Sequence, residues 1–375
     1  MTSHYLSRIA EAGVSIWLDD LSRERFEPDR ADSLVELIAK RSVVGVTTNP
    51  AIFSQAISRS SLYRGDLARF AAEGISAAEA IERLTISDVK RAAELFESTF
   101  RNSGGKDGRV SIEVDPQFAR DTEATIDQGH HLWEELGLPN ILIKVPATVE
   151  GLVAIEELTR MGISVNVTLI FTADRYDRVI NAYFSGLERR LAEGGAIDQI
   201  HSVASFFVSR IDTEIDARLE SALERQRFSM LRGRAGISNA LLAYQIFHDR
   251  INTERWRQLE AHGAQLQRPL WASTGVKDPS YPATLYVESL ITRDSVNTMP
   301  EATLEATAGL QDDHPIDPVE PSSSQIDRAR THLSDLEEMG IEINQVGEKL
   351  ESEGLEKFLT PWQALQQRIS DEMKS

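Results

Sequence analysis

Residues 139–148 read PNILIKVPAT, and this stretch limits the possible folds more than any other. Ile141, Leu142, Ile143 and Val145 leave neither face polar, as expected of a strand in a parallel sheet covered by helices on both sides. Lys144 interrupts the run. Burial disfavours an ammonium unless it is paired, and a neutral lysine amine is a nucleophile toward carbonyls. Pro146 cannot donate to a sheet ladder, so the strand is expected to stop just beyond Lys144. The amine then sits at a carboxyl-terminal strand end, where barrel enzymes keep their chemistry. The competing reading is a strand-end lysine that reaches solvent.

Seven further segments have strand character: 14–19 (VSIWLD), 43–48 (VVGVTT), 109–115 (RVSIEVD), 163–169 (ISVNVTL), 200–208 (IHSVASFFV), 268–274 (RPLWAST) and 295–299 (SVNTM). Helical spacing separates them, over 33–40, 76–101, 118–136, 150–161, 173–186 and 212–262, the last broken near 233–236, with a helical turn at 287–290. Eight strands alternating with helices predict a (β/α)8 barrel (TIM barrel) with extra helices. A doubly wound sheet competes, but no GxGxxG or GxxxxGK[ST] follows an early strand. A proline- and serine-rich connection over 312–324 leads to a helical tail, 325–374, too apolar to hang free. The expected organisation is one barrel domain over 1–375, with its core at 14–310 and the tail packed against it.

Polar residues interrupt the apolar strands late in each: Asp19, Asn49, Glu113, Lys144, Asn166 with Thr168, Ser205 and Ser273. Asn166 and Thr168 lie two apart and share a face. If the strands close one barrel, these positions converge on one mouth, where buried polar groups can partner one another. A glutamate beside Lys144 can relay protons through a water, which suits Glu113. Asp19 suits proton removal from a substrate hydroxyl. For Asn49, Asp115 and Ser273 the alternative is capping of the next helix. Arg210 and Lys277 follow the sixth and seventh strands and could seat a phosphate; alternatively Arg210 pairs with Asp212 or Asp216.

Other chemistries find little support. A net charge of −19 argues against a nucleic-acid surface and requires local cations for any anionic substrate. The absence of cysteine removes disulfides, thiolate catalysis and thiolate metal sites, and fits a cytoplasmic setting. The eight histidines are scattered, His130 and His131 read as solvated surface, and no HExxH or Gly-x-Ser-x-Gly occurs, so neither a metal nor a cofactor is expected. Trp256, Trp271 and Trp362 read as packing residues. No run approaches a membrane span, and the start reads as a short amphipathic helix rather than a signal peptide. A monomer or homodimer is expected.

VVGVTTNPAIF, SIEVDP, LIKVPAT, NVTLIF and SFFVSRID, in this order and spacing, resemble the transaldolases, and most of all the longer bacterial form found in actinobacteria. The resemblance runs from about 15 to 305, with a weaker match at GLEKFLTPWQAL. It implies a (β/α)8 barrel and a cofactor-free Schiff-base mechanism in the non-oxidative pentose phosphate pathway. The implied reaction moves a dihydroxyacetone unit from sedoheptulose 7-phosphate to glyceraldehyde 3-phosphate, giving erythrose 4-phosphate and fructose 6-phosphate. By the resemblance, Lys144 matches the Schiff-base lysine and Glu113 the glutamate that works through a water, which Thr168 helps to hold. Asp19 matches the acid/base on the substrate hydroxyl, and Asn49 and Asn166 match the asparagines on the dihydroxyacetone hydroxyls. Ser205, Arg210 and Ser273 match contacts to substrate and phosphate.

Two departures stand out. Gly275 replaces an arginine of the best-known form, so Lys277 is the candidate second phosphate cation. Asp19 and Asp20 are adjacent, and only one can point inward. The rivals are the family's shorter fructose 6-phosphate aldolases, which release free dihydroxyacetone, and a barrel that has lost catalysis. A helix over the mouth would exclude water and favour transfer; intact Lys144, Glu113, Asp19 and Thr168 oppose loss of catalysis.

Overall fold

The protein is described by a computed structural model covering residues 4–220, 230–316 and 320–373. The 221–229 part of the expected helical region, 317–319 of the connection and residue 374 of the tail lie outside the described residues. The strands are β1 Val14–Leu18, β2 Val43–Val46, β3 Arg109–Glu113, β4 Ile141–Pro146, β5 Val165–Ile170, β6 Ser202–Phe207, β7 Gln267–Ala272 and β8 Ser295–Met299. They form a closed parallel barrel in sequence order, with β8 returning to β1 through pairs from Val14–Ser295 to Leu18–Met299. Helices alternate with the strands around this ring, so the fold is a (β/α)8 barrel.

β4 runs further than its proline suggested. Lys144 O accepts from Val114 N (3.1 Å), while Ala147 N donates to Thr168 O (2.7 Å). Backbone groups alternate sides along a strand, so Pro146 shares the side of Lys144 and faces β3, which has already ended at Glu113. Its missing N–H leaves the β4–β5 ladder intact. Elsewhere the apolar pattern overran: β1, β2, β3 and β7 each stop one or two residues before the expected end. Asp19, Thr47, Thr48 and Ser273 thus begin the loops at the mouth.

Several helices differ from expectation. The segment 76–101 divides at Phe96 into Ala77–Leu95 and Glu97–Asn102. Pro50–Arg59 and Arg64–Glu73 are helices without a counterpart in the sequence reading. β2 ends at Val46, before Pro50 is reached, and Pro50 instead opens the next helix at a first-turn position, where a proline's missing N–H is harmless. The tail forms Ser323–Glu338 and Ile343–Glu372, separated at Gly340, whose φ is +78°. Leu350, Leu355, Phe358 and Leu365 of the second tail helix are buried, and it packs on the barrel across Pro50–Arg59, Ser209–Glu220 and β5. No helix among the described residues is long and apolar enough to cross a membrane.

The barrel interior explains one glycine. Trp17 on β1 points inward at 0 % exposure, and a Cβ at Gly45 on β2 would stand 2.6 Å from its indole. Only glycine lets β2 pass that ring.

The amino-terminal end of the barrel is closed by buried cations. Arg109 Nε donates to Gly105 O (2.7 Å), Arg268 donates to Ser15 Oγ (2.7 Å) and pairs with Asp107 (3.0 Å). Burial and the neighbouring Arg268 push the Arg109 guanidinium down to about 9. Burial, with these two arginines, lowers His201 to about 3 from its ordinary 6.5. An unfolded histidine takes its proton near 6.5, whereas the folded one stays neutral until about 3. The unfolded state therefore holds the extra proton in that window, and stability falls as pH falls through it. His201→Gln removes this contribution: urea midpoints should show the variant gaining on the wild type between pH 7 and pH 5. A constant gap across those pH values would show that His201 is not the group responsible.

Candidate active site

Register alone sets the first row of the site. Glu113 pairs with Lys144 across β3–β4, and Lys144 with Asn166 across β4–β5, so three polar side chains stand side by side on the inner face. Lys144 Nζ donates to Thr48 O at 2.8 Å and lies 3.1 Å from Glu113 Oε2; the two side chains are 4 % and 2 % exposed. The hydrogen bond to Thr48 is the better aligned of the two, because neither Glu113 oxygen meets hydrogen-bond geometry with any protein group. Asn166 is fixed at both ends, donating to Ser111 Oγ (2.9 Å) and accepting from Ser205 Oγ (2.7 Å). Thr168, two residues on, is fully buried and its hydroxyl has no protein partner.

Asp19 faces this row from β1. Thr47 Oγ1 donates to Asp19 Oδ1 (2.7 Å) and lies 2.6 Å from Thr298 Oγ1, so the Thr298 hydroxyl must donate to Thr47. Asp20 turns away and takes the Arg25 guanidinium, with Nε at 2.9 Å. The two adjacent aspartates are thereby separated, and Asp19 is the one that lines the cavity with Lys144.

Burial raises the Glu113 carboxyl above its ordinary range, with Lys144 acting against it. Asp19 is raised for the same reason and opposed by the same ammonium, then by its Thr47 hydrogen bond. Arg210 is lowered by burial, against the pull of Asp19, Glu353 and Glu113. Asp19, Glu113 and Arg210 share a poorly solvated space, each shifted toward neutrality by burial and toward charge by its oppositely charged neighbours.

The cavity at the mouth is lined by Asp19, Asn49, Lys144, Thr168, Ser205, Arg210, Ser273 and Lys277, together with Thr47, Phe207 and Phe358. Glu113 and Asn166 lie behind this lining. Arg210 does not pair with the helix after β6. Asp212 accepts from Gly236 N (2.8 Å) and Tyr286 (2.8 Å), and Asp216 from Gly233 N (3.0 Å) and Tyr281 (2.8 Å). Arg210 stacks on Phe207 instead, 5.0 Å from the ring centroid, with Nη1 buried and unpartnered. Lys277 is exposed at the rim. A Cβ on Gly275 would meet Thr303 and Pro300 no closer than 3.4 Å, so close contact is not what leaves that position without a side chain.

Asn49 does cap: its Oδ1 accepts from Ile52 N (2.9 Å) at the start of Pro50–Arg59, while the residue also lines the cavity. Ser273 is held at φ +54° with its Oγ 2.9 Å from Ser209 Oγ. Asp115 belongs to the capping reading, accepting from Gln117 N (2.9 Å) and from Trp362 Nε1 (2.9 Å). The sequence puts Ser111 on the face of Glu113, but carries no sign of Thr47, Thr298 or the Thr48 carbonyl. Phe358 reaches the cavity from the tail helix. No group of three or more His, Asp or Glu among the described residues could hold a metal ion.

A (β/α)8 barrel with a buried lysine–glutamate pair at its carboxyl-terminal mouth has the layout of enzymes that use a lysine amine on carbonyl substrates. The family model described as Transaldolase/Fructose-6-phosphate aldolase matches residues 16–369, and the chain belongs to that family. It is 50 % identical over 369 residues to a transaldolase of Renibacterium salmoninarum, covering 98 % of this chain and 96 % of that one. It is 46 % identical over 368 residues to a transaldolase of Thermobifida fusca (98 % of each chain) and 48 % over 369 residues to transaldolase 2 of Streptomyces coelicolor (98 % and 97 %).

Because the Thr47 hydrogen bond holds the Asp19 carboxyl down, Thr47→Val should raise its pKa further. A pH titration of the carboxyl carbon signal in aspartate-labelled protein measures this. An Asp19 signal that titrates as in the wild type would mean that the hydroxyl does not hold it.

Proposed function

We propose that the protein is a transaldolase working through a Schiff base on Lys144. The observation that carries this reading is the buried Lys144–Glu113 pair, 3.1 Å apart, inside a barrel of the transaldolase family. The Lys144 amine adds to the ketone carbon of fructose 6-phosphate or sedoheptulose 7-phosphate, and the carbonyl oxygen leaves as water. Glu113 moves the protons of that exchange through one water, which Thr168 helps to hold. Such a water would satisfy the buried Thr168 hydroxyl and the buried Glu113 oxygens, whose one close protein group is the Lys144 amine.

Asp19 then takes the proton of the substrate hydroxyl next to the scissile bond. The carbon–carbon bond breaks, its electrons pass into the imine, and an aldehyde phosphate leaves. A three-carbon enamine remains on Lys144 until glyceraldehyde 3-phosphate or erythrose 4-phosphate enters and the steps run backward. Asn49, Asn166 and Ser205 hold the dihydroxyacetone hydroxyls; Arg210, Ser273 and Lys277 hold the phosphate. The buried, unpartnered Nη1 of Arg210 supports that last assignment.

The reaction belongs to the non-oxidative pentose phosphate pathway and a cytoplasmic setting. Every residue given a role comes from one chain, so a monomer or a homodimer serves equally. The tail acts as part of the barrel domain, since Phe358 lines the barrel's own cavity.

Borohydride reduction in the presence of fructose 6-phosphate and no acceptor tests the central claim. The expected result is a mass gain of one reduced dihydroxyacetone unit on the Lys144 peptide, lost in Lys144→Ala. A folded wild type without any adduct would overturn the reading. Lys277→Ala should raise KM for phosphorylated substrates on the order of tenfold, the loss of about one charge-assisted hydrogen bond. An unchanged KM would remove Lys277 from the site.

A further inference from the structure

One side chain in the cavity has no role in the chemistry above. Phe358 comes from the tail helix Ile343–Glu372, is 3 % exposed, and its ring centroid lies 5.9 Å from Lys144 Nζ. It is the tail's only residue in the lining that surrounds Lys144, Thr168, Ser205 and Arg210, among the described residues. A phenyl ring there lines the cavity beside the amine and presents no group able to carry a proton.

The helix is pressed onto the mouth by design of its sequence. A Cβ at Gly347 would stand 2.3 Å from Thr172 Cγ2, and one at Gly354 would stand 2.9 Å from Leu169 Cδ2. At Gly347 a larger residue would push the helix off Thr172, and at Gly354 it would displace the end of the Leu169 side chain. From the barrel side, β5 bulges between Val167 and Ile170, and Leu169 takes φ +59°, rare for a leucine. The buried cluster that receives Leu169 also contains Leu350, Leu355 and Phe358. Beyond Phe358 the helix is pinned: Pro361 O accepts from Ser54 Oγ (3.0 Å) and Trp362 Nε1 donates to Asp115 (2.9 Å). Contacts on both sides thus fix the depth of the ring.

We infer that Phe358 is a specificity-determining residue that keeps water from the enamine on Lys144 and so sets the balance between transfer and release. This rests on the Schiff-base reading above. The enamine has two exits. In transfer, its carbon attacks an acceptor aldehyde, whose oxygen takes up a proton, and the water beside Glu113 then adds to the iminium carbon and frees the product ketose from the Lys144 nitrogen. In release, the same carbon takes a proton from water, a second water adds to the resulting iminium carbon, and the Lys144 nitrogen leaves as the amine with free dihydroxyacetone as product. Both exits end in hydrolysis of an imine, but only release needs a water to protonate the enamine carbon, so removing the ring opens that exit selectively.

Both fluxes pass through the same cleavage step, and their ratio is insensitive to general damage. Release is read as steady-state aldehyde phosphate formed from fructose 6-phosphate without acceptor. Transfer is read as sedoheptulose 7-phosphate formed when erythrose 4-phosphate is added. Phe358→Ala should raise the release-to-transfer ratio by roughly tenfold or more, and Phe358→Leu by less. Gly347→Ala, which must lift the helix off Thr172, should move the ratio the same way. Phe358→Leu keeps the test valid should the alanine variant fail to fold. An unchanged ratio in a Phe358 variant with the wild-type melting temperature overturns the inference while the Schiff-base reading stands. A wild type with neither transfer nor a borohydride adduct overturns both.

Discussion

A buried ammonium must be compensated, and in this barrel that demand falls on Lys144. Its two partners come from different segments: the Thr48 carbonyl just past β2 and Glu113 on β3. Neither partner is adjacent in the chain, so the amine is satisfied only when the strands are paired in one register. A shift of β3 by one residue would turn Glu113 outward and leave the charge in apolar surroundings. The polar site therefore checks the assembly of the barrel.

The same economy extends across the mouth. Asp19, Glu113, Lys144 and Arg210 carry formal charges that cancel, in a space where burial works against each of them. Removing one leaves an uncompensated neighbour, a larger disturbance than the loss of a single contact. At the opposite end, Arg109 and Arg268 are also buried, beside a half-buried His201, and the two guanidiniums meet backbone carbonyls, the Ser15 hydroxyl and the Asp107 carboxylate. One end of the barrel is arranged for reaction and the other for closure.

What the sequence revealed depended on the kind of signal. Lys144 stood out because a lysine inside ILIKV is anomalous, and Glu113 and Asn166 stood out in the same way on neighbouring strands. Asp19 and Asp20 were indistinguishable as letters; Arg25, which claims Asp20, separates them in space. The Thr48 carbonyl was invisible because every residue has one. Pro50 was read as the end of a strand when it is the start of a helix, so Pro50–Arg59 went unseen. Strand ends overran because Thr47, Thr48, Val114 and Thr274, just past them, are β-branched residues of the kind strands favour. Phe358 escaped because its meaning lies in a contact between the tail and β4, and a phenylalanine on an amphipathic helix looks like packing.

Ile343–Glu372 follows all eight strands in the chain, and this order has a consequence during synthesis. Translation delivers the complete ring of strands first, and domains fold as their elements emerge. The barrel can close, and Lys144 can meet Glu113, while Phe358 is still inside the ribosome. A nascent chain at that stage presents an open mouth, and the finished active site dates from the moment its last helix settles over Leu169.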